Sequence, residues 1–379
     1  MIKLRIEKGG QCADIRFPCE ERVVTEALNR IGVADEMDTK QTVSKVLEFD
    51  TLSLLEGQTV DLDEINFLAK RLDSFIKSEL DKYTVAAQME GLDNCKDLIN
   101  LTYNLHRYTL IQNFESATEV GRTHMLTKQG GITETEAKTV DFAKIGWELL
   151  NSGKGKWTEK GLLFFNEDVP EETMYNGETF PEYDYNGECL FGVKISFLNA
   201  REYVYLPCEE LAIKKALARL GVEGTEHCEL WVDFDRIEDE KLATLVFNSV
   251  KGEDIYDVNA FADEMNNLTE TEKFFAVVEY GEAEGVRELT AIAKNLDEFE
   301  YAEGVDSDYS LGEYLVDNDT DYECSDYLRD YINYEELGGD IRRNGNGIFI
   351  TNGCVYISSG KTYEEVLDKD MGMSFGEMQ

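Results

Sequence analysis

The sequence predicts an α+β protein made of two related copies, each a small sheet-plus-helix unit followed by a helix-rich part and a closing hairpin. Three observations carry that expectation. The chain of 379 residues repeats itself at a nearly constant offset. Each copy opens with alternating apolar residues and then switches to helical spacing. Each also ends in glycine-rich turn chemistry ahead of a short apolar run.

The repeat is plainest at the start. Leu4-Arg-Ile6, Phe17-Pro18-Cys19-Glu20-Glu21 and Ala27-Leu28-Asn29-Arg30-Ile31-Gly32-Val33 are answered by Val193-Lys-Ile195, Leu206-Pro207-Cys208-Glu209-Glu210 and Ala216-Leu217-Ala218-Arg219-Leu220-Gly221-Val222, every pair offset by 189 without a gap. Ordered echoes follow. Asn66 with Ala69 answers Asn259 with Ala262, Asn104-Leu105 answers Asn295-Leu296, and Gly121 answers Gly312. Asp141-Phe-Ala-Lys-Ile-Gly146 matches Asn333-Tyr-Glu-Glu-Leu-Gly338.

Residues 3–7 and 13–17 alternate as strands do, Pro18 and Pro207 suit a helix start, and Glu20 to Ile31 has helical spacing. Leu62 to Phe75, Cys95 to Leu105 and Ala137 to Leu150 carry apolar residues three and four apart, which predicts helices. Asn151-Ser-Gly-Lys-Gly155 and Asn344-Gly-Asn-Gly347 then supply turn chemistry before short apolar runs, so each copy should close with a hairpin. The expected division is a first copy over 1–165, an acidic linker over 166–190 and a second, more acidic copy over 191–379. Within the linker, Glu167 to Glu188 has eight acids, no basic residue and two of the four prolines.

A hydrophobic content of 42%, with 11% aromatics, is enough for cored domains. Charge is the departure from the ordinary: 78 Asp and Glu against 37 Lys and Arg leave a net of −41. That field repels nucleic acid and anionic lipid and favours a basic partner. Residues 1–190 contribute −14 and residues 191–379 contribute −27. The eight cysteines are scattered without a C-x-x-C unit, which reads as reduced thiols of a cytoplasmic protein. The N-terminus lacks the apolar core of a signal peptide, and no apolar run reaches membrane-helix length.

The densest acidic segment runs from Asp297 to Asp326. It holds Asp297, Glu298, Glu300, Glu303, Asp306, Asp308, Glu313, Asp317, Asp319, Asp321, Glu323 and Asp326, twelve carboxylates in thirty residues without a Lys or Arg. Neutralisation within the segment is therefore impossible. An ordinary solvated loop would have the same composition, but Phe299, Tyr301, Tyr309, Leu311, Tyr314, Leu315, Tyr322 and Tyr327 give this one anchors with which to dock on a core. On helical turns its acids would recur about every 4 Å, close to the roughly 3.4 Å charge spacing of a single DNA strand. These twelve are the candidate partner-binding residues.

Catalytic and cofactor motifs fail residue by residue. Asp317-Asn-Asp319-Thr-Asp321 begins like a calcium loop, but its sixth position is Tyr322 and its twelfth Leu328. Ser359-Gly360-Lys361-Thr362 imitates the end of a phosphate loop, with Val355 where the first glycine belongs. His106, His124 and His227 show no metal-ligand spacing. No cofactor, metal or catalytic residue is expected, so an enzyme is not.

Leu98-Ile-Asn-Leu-Thr-Tyr-Asn104-Leu-His-Arg-Tyr108, Glu119-Val-Gly121-Arg122, Phe142-Ala-Lys-Ile-Gly146 and the Gly155-Lys-Trp157-Thr158 to Gly161 turn resemble the ArdA-like antirestriction proteins of bacterial mobile elements. The second copy keeps Ser310-Leu-Gly312-Glu-Tyr314, Leu328 to Gly338 and Gly347-Ile-Phe349 to Gly353, and departs at Leu289 to Phe299. The resemblance implies an elongated, non-catalytic acidic protein that imitates bent B-form DNA. It further implies occupation of the DNA-binding groove of a type I restriction-modification enzyme, usually by a homodimer. Two copies in one chain offer an intramolecular pseudo-dimer instead. The rival expectation is an anti-CRISPR or other anti-defence inhibitor working through protein contacts outside the groove.

Overall fold

A computed structural model describes residues 2–183, 189–233, 237–322 and 324–371, apart from the side chains of Thr320 and 368–371. The chain is mixed α+β with several small antiparallel sheets. It packs as two compact units. One comprises Met1–Glu188, Leu198–Tyr203 and Lys214–Gly221; the other comprises Cys189–Phe197, Val204–Ile213 and Val222–Gln379.

The first elements are β1 (Ile2–Lys8), β2 (Gln11–Phe17), α1 (Glu21–Arg30), β3 (Lys40–Glu48) and β4 (Thr59–Asp61), whose strands form a sheet in the order β2-β1-β3-β4. Alternation does what the sequence pattern requires: Ile2, Leu4 and Ile6 on β1 and Ala13, Ile15 and Phe17 on β2 face the core. Neither proline opens a helix. Pro18 and Pro207 follow cis peptide bonds at the strand ends, and α1 begins three residues later, at Glu21.

Helices α2 (Leu62–Asp73), α3 (Lys77–Glu90) and α4 (Cys95–Tyr103) close over this sheet in one continuous core. Buried Tyr83 keeps its hydroxyl satisfied by donating to the Leu98 carbonyl at 3.2 Å. A second layer follows: β5 (Tyr108–Ile111), α5 (Ala117–Gln129), α6 (Glu134–Thr139), α7 (Phe142–Asn151), β6 (Lys156–Thr158) and β7 (Gly161–Phe165). Its sheet order is β5-β7-β6, so the expected hairpin forms and β5 adds the third strand. The helix expected over 137–150 is two helices. Val140 is extended, and the Asp141 carboxylate starts afresh by accepting from Lys144 N at 3.0 Å.

Residues 166–183 have no regular structure but are pinned. Asn100 accepts from the backbone N–H of Met174 and Tyr175, both at 2.9 Å, and donates to the Tyr175 carbonyl. Asn104 exchanges the same pair of bonds with Glu172. Phe180 stacks on Phe67 with ring centroids 4.6 Å apart. The Asn100 and Asn104 side chains thus replace the missing ladder for a strand-less segment.

The later elements run β8 (Phe191–Phe197), β9 (Ala200–Leu206), α8 (Glu210–Leu220), β10 (Glu229–Asp233), α9 (Glu240–Ser249), α10 (Ile255–Asn267), α11 (Thr271–Gly281) and α12 (Val286–Lys294). Then come β11 (Glu300–Glu303), α13 (Asp308–Asn318), α14 (Asp326–Arg329), α15 (Tyr334–Asn344), β12 (Ile348–Ile350), β13 (Gly353–Tyr356) and α16 (Tyr363–Met371). The sheets are β10-β8-β9 and β11-β13-β12.

Devices recur at the echoed positions. Asn66 exchanges two hydrogen bonds with the Cys19 backbone at 3.0 and 2.9 Å, and Asn259 does so with Cys208 at 2.9 Å each. At the crossing of α5 and α7, a Cβ on Gly121 would lie 2.0 Å from the Phe142 carbonyl oxygen. Where α13 crosses α15, a Cβ on Gly312 would lie 2.1 Å from that of Tyr334. Ser116 and Ser307 cap the first helix of each pair.

Candidate functional site

The structure distributes the acidic segment over five short elements instead of one helix. Asp297 and Glu298 lie in the 3-10 turn Leu296–Glu298, and Glu300 and Glu303 end β11. Asp306 precedes the capping Ser307, and Asp308, Glu313 and Asp317 lie on α13. Asp319 follows that helix, Asp321 is in the 3-10 turn Thr320–Tyr322, and Asp326 opens α14. Glu323 lies outside the described residues.

Docking follows the aromatic anchors. Phe299 is fully buried, and Tyr314 and Tyr322 pack against a core of Ala302, Val305, Leu311, Leu315, Cys354 and Tyr356. Tyr309 and Tyr327 do not dock: both are exposed, each beside another tyrosine, Tyr334 and Tyr331. On α13 the buried side is Leu311, Gly312, Leu315 and Val316, which leaves Glu313 and Asp317 on the opposite, exposed side. Four residues of helix separate those two by about 6 Å. That is wider than the 4 Å expected from a continuous helix, so phosphate-like spacing does not arise from helical geometry here.

Cations from outside the segment neutralise part of it. Lys361 reaches Glu298 at 2.8 Å, and Arg342 grips Asp308 with two bonds of 2.6 and 3.1 Å. Arg329 pairs with Asp317 and approaches Asp326 at 3.7 Å. The Arg342 hydrogen bonds hold the Asp308 carboxyl below its ordinary range. Among the described residues no ion pair reaches Asp297, Glu300, Glu303, Asp306, Glu313, Asp319 or Asp321, and all but half-buried Asp319 are exposed.

The two glycine-crossed layers differ sharply in charge. Residues 108–166 hold seven basic and seven acidic residues; residues 299–357 hold three and fourteen. Similar packing therefore presents a balanced surface in one place and a carboxylate-rich one in the other. The linker acids are less available than composition suggests: Glu167 pairs with Lys154, Asp168 with Lys128, and Glu171 with Arg107.

Sequence reasoning missed a buried ionic cluster in the first unit. Lys215, with a side chain only 3% exposed, places Nζ 2.6 Å from Glu21 and 2.7 Å from Asp63. Arg219 makes a two-pronged contact with Glu202 at 3.0 and 2.9 Å and lies 4.6 Å from the centre of the Phe180 ring. Burial would lower the Lys215 ammonium pKa, but Asp63 and Glu21 outweigh it and hold the pKa above its ordinary value. These groups border a cavity of about 600 Å³ whose walls mix acids and bases. Every cation of the cluster is committed to a carboxylate, which makes the cluster structural. None of the eight cysteines is in a disulfide bond, and no group among the described residues has the composition of a metal site. No described helix is long and apolar enough to cross a membrane.

The fold and its charge define an acidic α+β protein that carries a group of carboxylates on an exposed surface. Residues 189–356, from just before β8 to the end of β13, match the family of antirestriction protein (ArdA), so this part of the chain is ArdA-like. No curated protein matches it.

Proposed function

We propose that the protein is a non-catalytic antirestriction factor that acts in the cytoplasm as an acidic mimic of DNA. It inhibits a type I restriction-modification enzyme by occupying that enzyme's basic DNA-binding groove. The supporting observation is the set of exposed carboxylates between Asp297 and Asp321 that have no cation partner among the described residues, held on short elements that aromatic residues anchor to a core. The segments 1–165 and 191–379 are read as two copies of one ancestral unit joined by residues 166–190, in line with the recurring Asn and Gly devices. In this reading Asp297, Glu300, Glu303, Asp306, Glu313, Asp319 and Asp321 stand where phosphates would. Glu298, Asp308, Asp317 and Asp326 keep the surface in shape through their cations.

Competition measures the claim directly. The chain should displace duplex DNA from a purified type I methyltransferase core, and its affinity should fall steeply between low and physiological salt, as expected for several charge contacts made together. Inhibition that leaves DNA bound, or affinity indifferent to salt, removes the mimic reading and favours contacts outside the groove.

A further inference from the structure

The aromatic rings around α14 stay out of the core. Tyr327 is 75% exposed and Tyr331 73%, with ring centroids 5.8 Å apart, and Leu328 beside them is half exposed. Asp326 opens the helix, and Asp330, which caps its end, keeps a helical backbone. Tyr327 and Tyr331 are therefore one turn apart on one side, and Asp326 and Asp330 form a parallel row next to them. Both carboxylates are exposed. Among the described residues no ion pair reaches Asp330, and Arg329 comes no closer to Asp326 than 3.7 Å.

Charge selects what fits a row of rings beside a row of acids. Residues 317–340 hold nine acids and one basic residue, Arg329, so a second copy of the chain laid against this patch would set like charges face to face. An arginine from another protein meets both rows at once. Its planar guanidinium lies on a ring while its N–H fork reaches the carboxylate alongside, which the compact, strongly hydrated ammonium of a lysine does less well. The chain makes this contact within itself. Arg219 lies 4.6 Å from the centre of the Phe180 ring and bonds Glu202 at 3.0 and 2.9 Å. Arg342 lies 5.2 Å from the centre of the Phe349 ring and holds Asp308, and Arg107 lies 4.9 Å from that of Phe165 and pairs with Glu171 at 2.8 Å. We propose that the Tyr327–Tyr331 face is a docking site for arginine side chains of a partner protein, each guanidinium stacked on a tyrosine ring and paired with Asp330 or Asp326. The proposal concerns the residue type that the partner presents, and it holds whether or not that partner is a DNA-binding groove.

The probe is a capped glycine-spaced peptide with two arginines, compared with its lysine counterpart of equal charge. Each is titrated at physiological salt into the full chain carrying 3-fluorotyrosine and read by fluorine NMR, with Tyr327→Phe and Tyr331→Phe identifying the two resonances. The arginine peptide should shift both resonances and half-saturate them at a concentration at least about fivefold below that of the lysine peptide, a factor that stacking on exposed rings supplies. Asp326→Asn with Asp330→Asn should raise the arginine half-saturation about threefold or more. Equal half-saturation by the two peptides overturns the proposal, because bulk charge would then be responsible, and so do resonances that the arginine peptide leaves in place. Half-saturation unchanged in the acid variant overturns it too. So does a shift of both resonances on concentrating the chain without peptide, since a second copy would be the occupant.

Discussion

Asn66 and Asn259 each spend a whole side-chain amide on one backbone residue, Cys19 and Cys208, where the chain leaves a strand and turns towards a helix. Removing either amide leaves a partly buried donor and acceptor without that partner, so Asn259→Ala should cost about 1–3 kcal/mol in urea unfolding. An unchanged midpoint would show that solvent takes over both groups. Gly312 meets the Tyr334 carbonyl so closely that any Cβ must part the helices, and Gly312→Ala should cost about 3 kcal/mol or more. Gly224→Ala, with nothing within 4 Å of the added carbon, is the matched control. His124 is of another kind. Burial, with Lys128 nearby, lowers its pKa, and its Nδ1 lies 2.9 Å from the Thr109 hydroxyl. The folded state therefore binds its proton less readily than the unfolded chain, so its contribution to stability is present above the ordinary histidine range and is lost as pH falls through the folded value. The melting temperature should fall less between pH 7 and pH 5 in His124→Asn than in the parent, and equal falls would remove His124 from the acid response. Asn66, Gly121 and their echoes were visible in the sequence as repeated letters, but nothing in a single sequence distinguishes a packing device from a functional residue.

Elements with strong local signals were legible: the β1–β2 hairpin by alternation, and α1, α2 and α4 by spacing. The β6–β7 and β12–β13 hairpins form as expected, but the glycine-rich turns at 151–155 and 344–347 join a helix to each hairpin, and the strands themselves reverse at 159–160 and 351–352. What stayed hidden depends on partners far away in sequence. The segment 166–183 reads as a linker because its order comes from Asn100 and Asn104, about seventy residues earlier. The neutralisation of Glu298 and Asp308 is hidden likewise, since Lys361 and Arg342 lie 63 and 34 residues further on. Lys215 has the same character: on α8 it looks like a surface lysine, yet Glu21 and Asp63 enclose it. Lys215→Met would leave two carboxylates facing each other without their shared cation and should cost about 3–5 kcal/mol. Adding Glu21→Gln and Asp63→Asn should recover most of that loss in the same urea titration. If the triple variant is as unstable as the single one, packing rather than charge is what Lys215 supplies.

At the scale of the whole molecule the question is whether −41 acts as a total or through an address. A total would act at long range, raising the encounter rate with any basic groove and fading over about a Debye length, 8 to 10 Å in physiological salt. An address requires particular carboxylates to meet particular cations, and then where a charge is removed matters more than how many are. The two glycine-crossed layers allow the distinction, because one is balanced over 108–166 and the other strongly acidic over 299–357. One variant carries Asp297→Asn, Glu300→Gln, Glu303→Gln, Glu313→Gln and Asp321→Asn; the other carries Glu115→Gln, Glu119→Gln, Glu134→Gln, Glu148→Gln and Glu159→Gln. Both change the net charge equally, and all ten side chains are exposed. Each good charge contact in a groove is worth about 1 kcal/mol or more, so the first variant should lose inhibition of a type I enzyme by about a hundredfold or more and show a shallower salt dependence. The second should stay within a few-fold of the parent. Equal losses would mean that the protein works through its overall field and that the segment from 297 to 326 holds no privileged place. No loss in either would mean that the target recognises a surface on which these carboxylates do not lie.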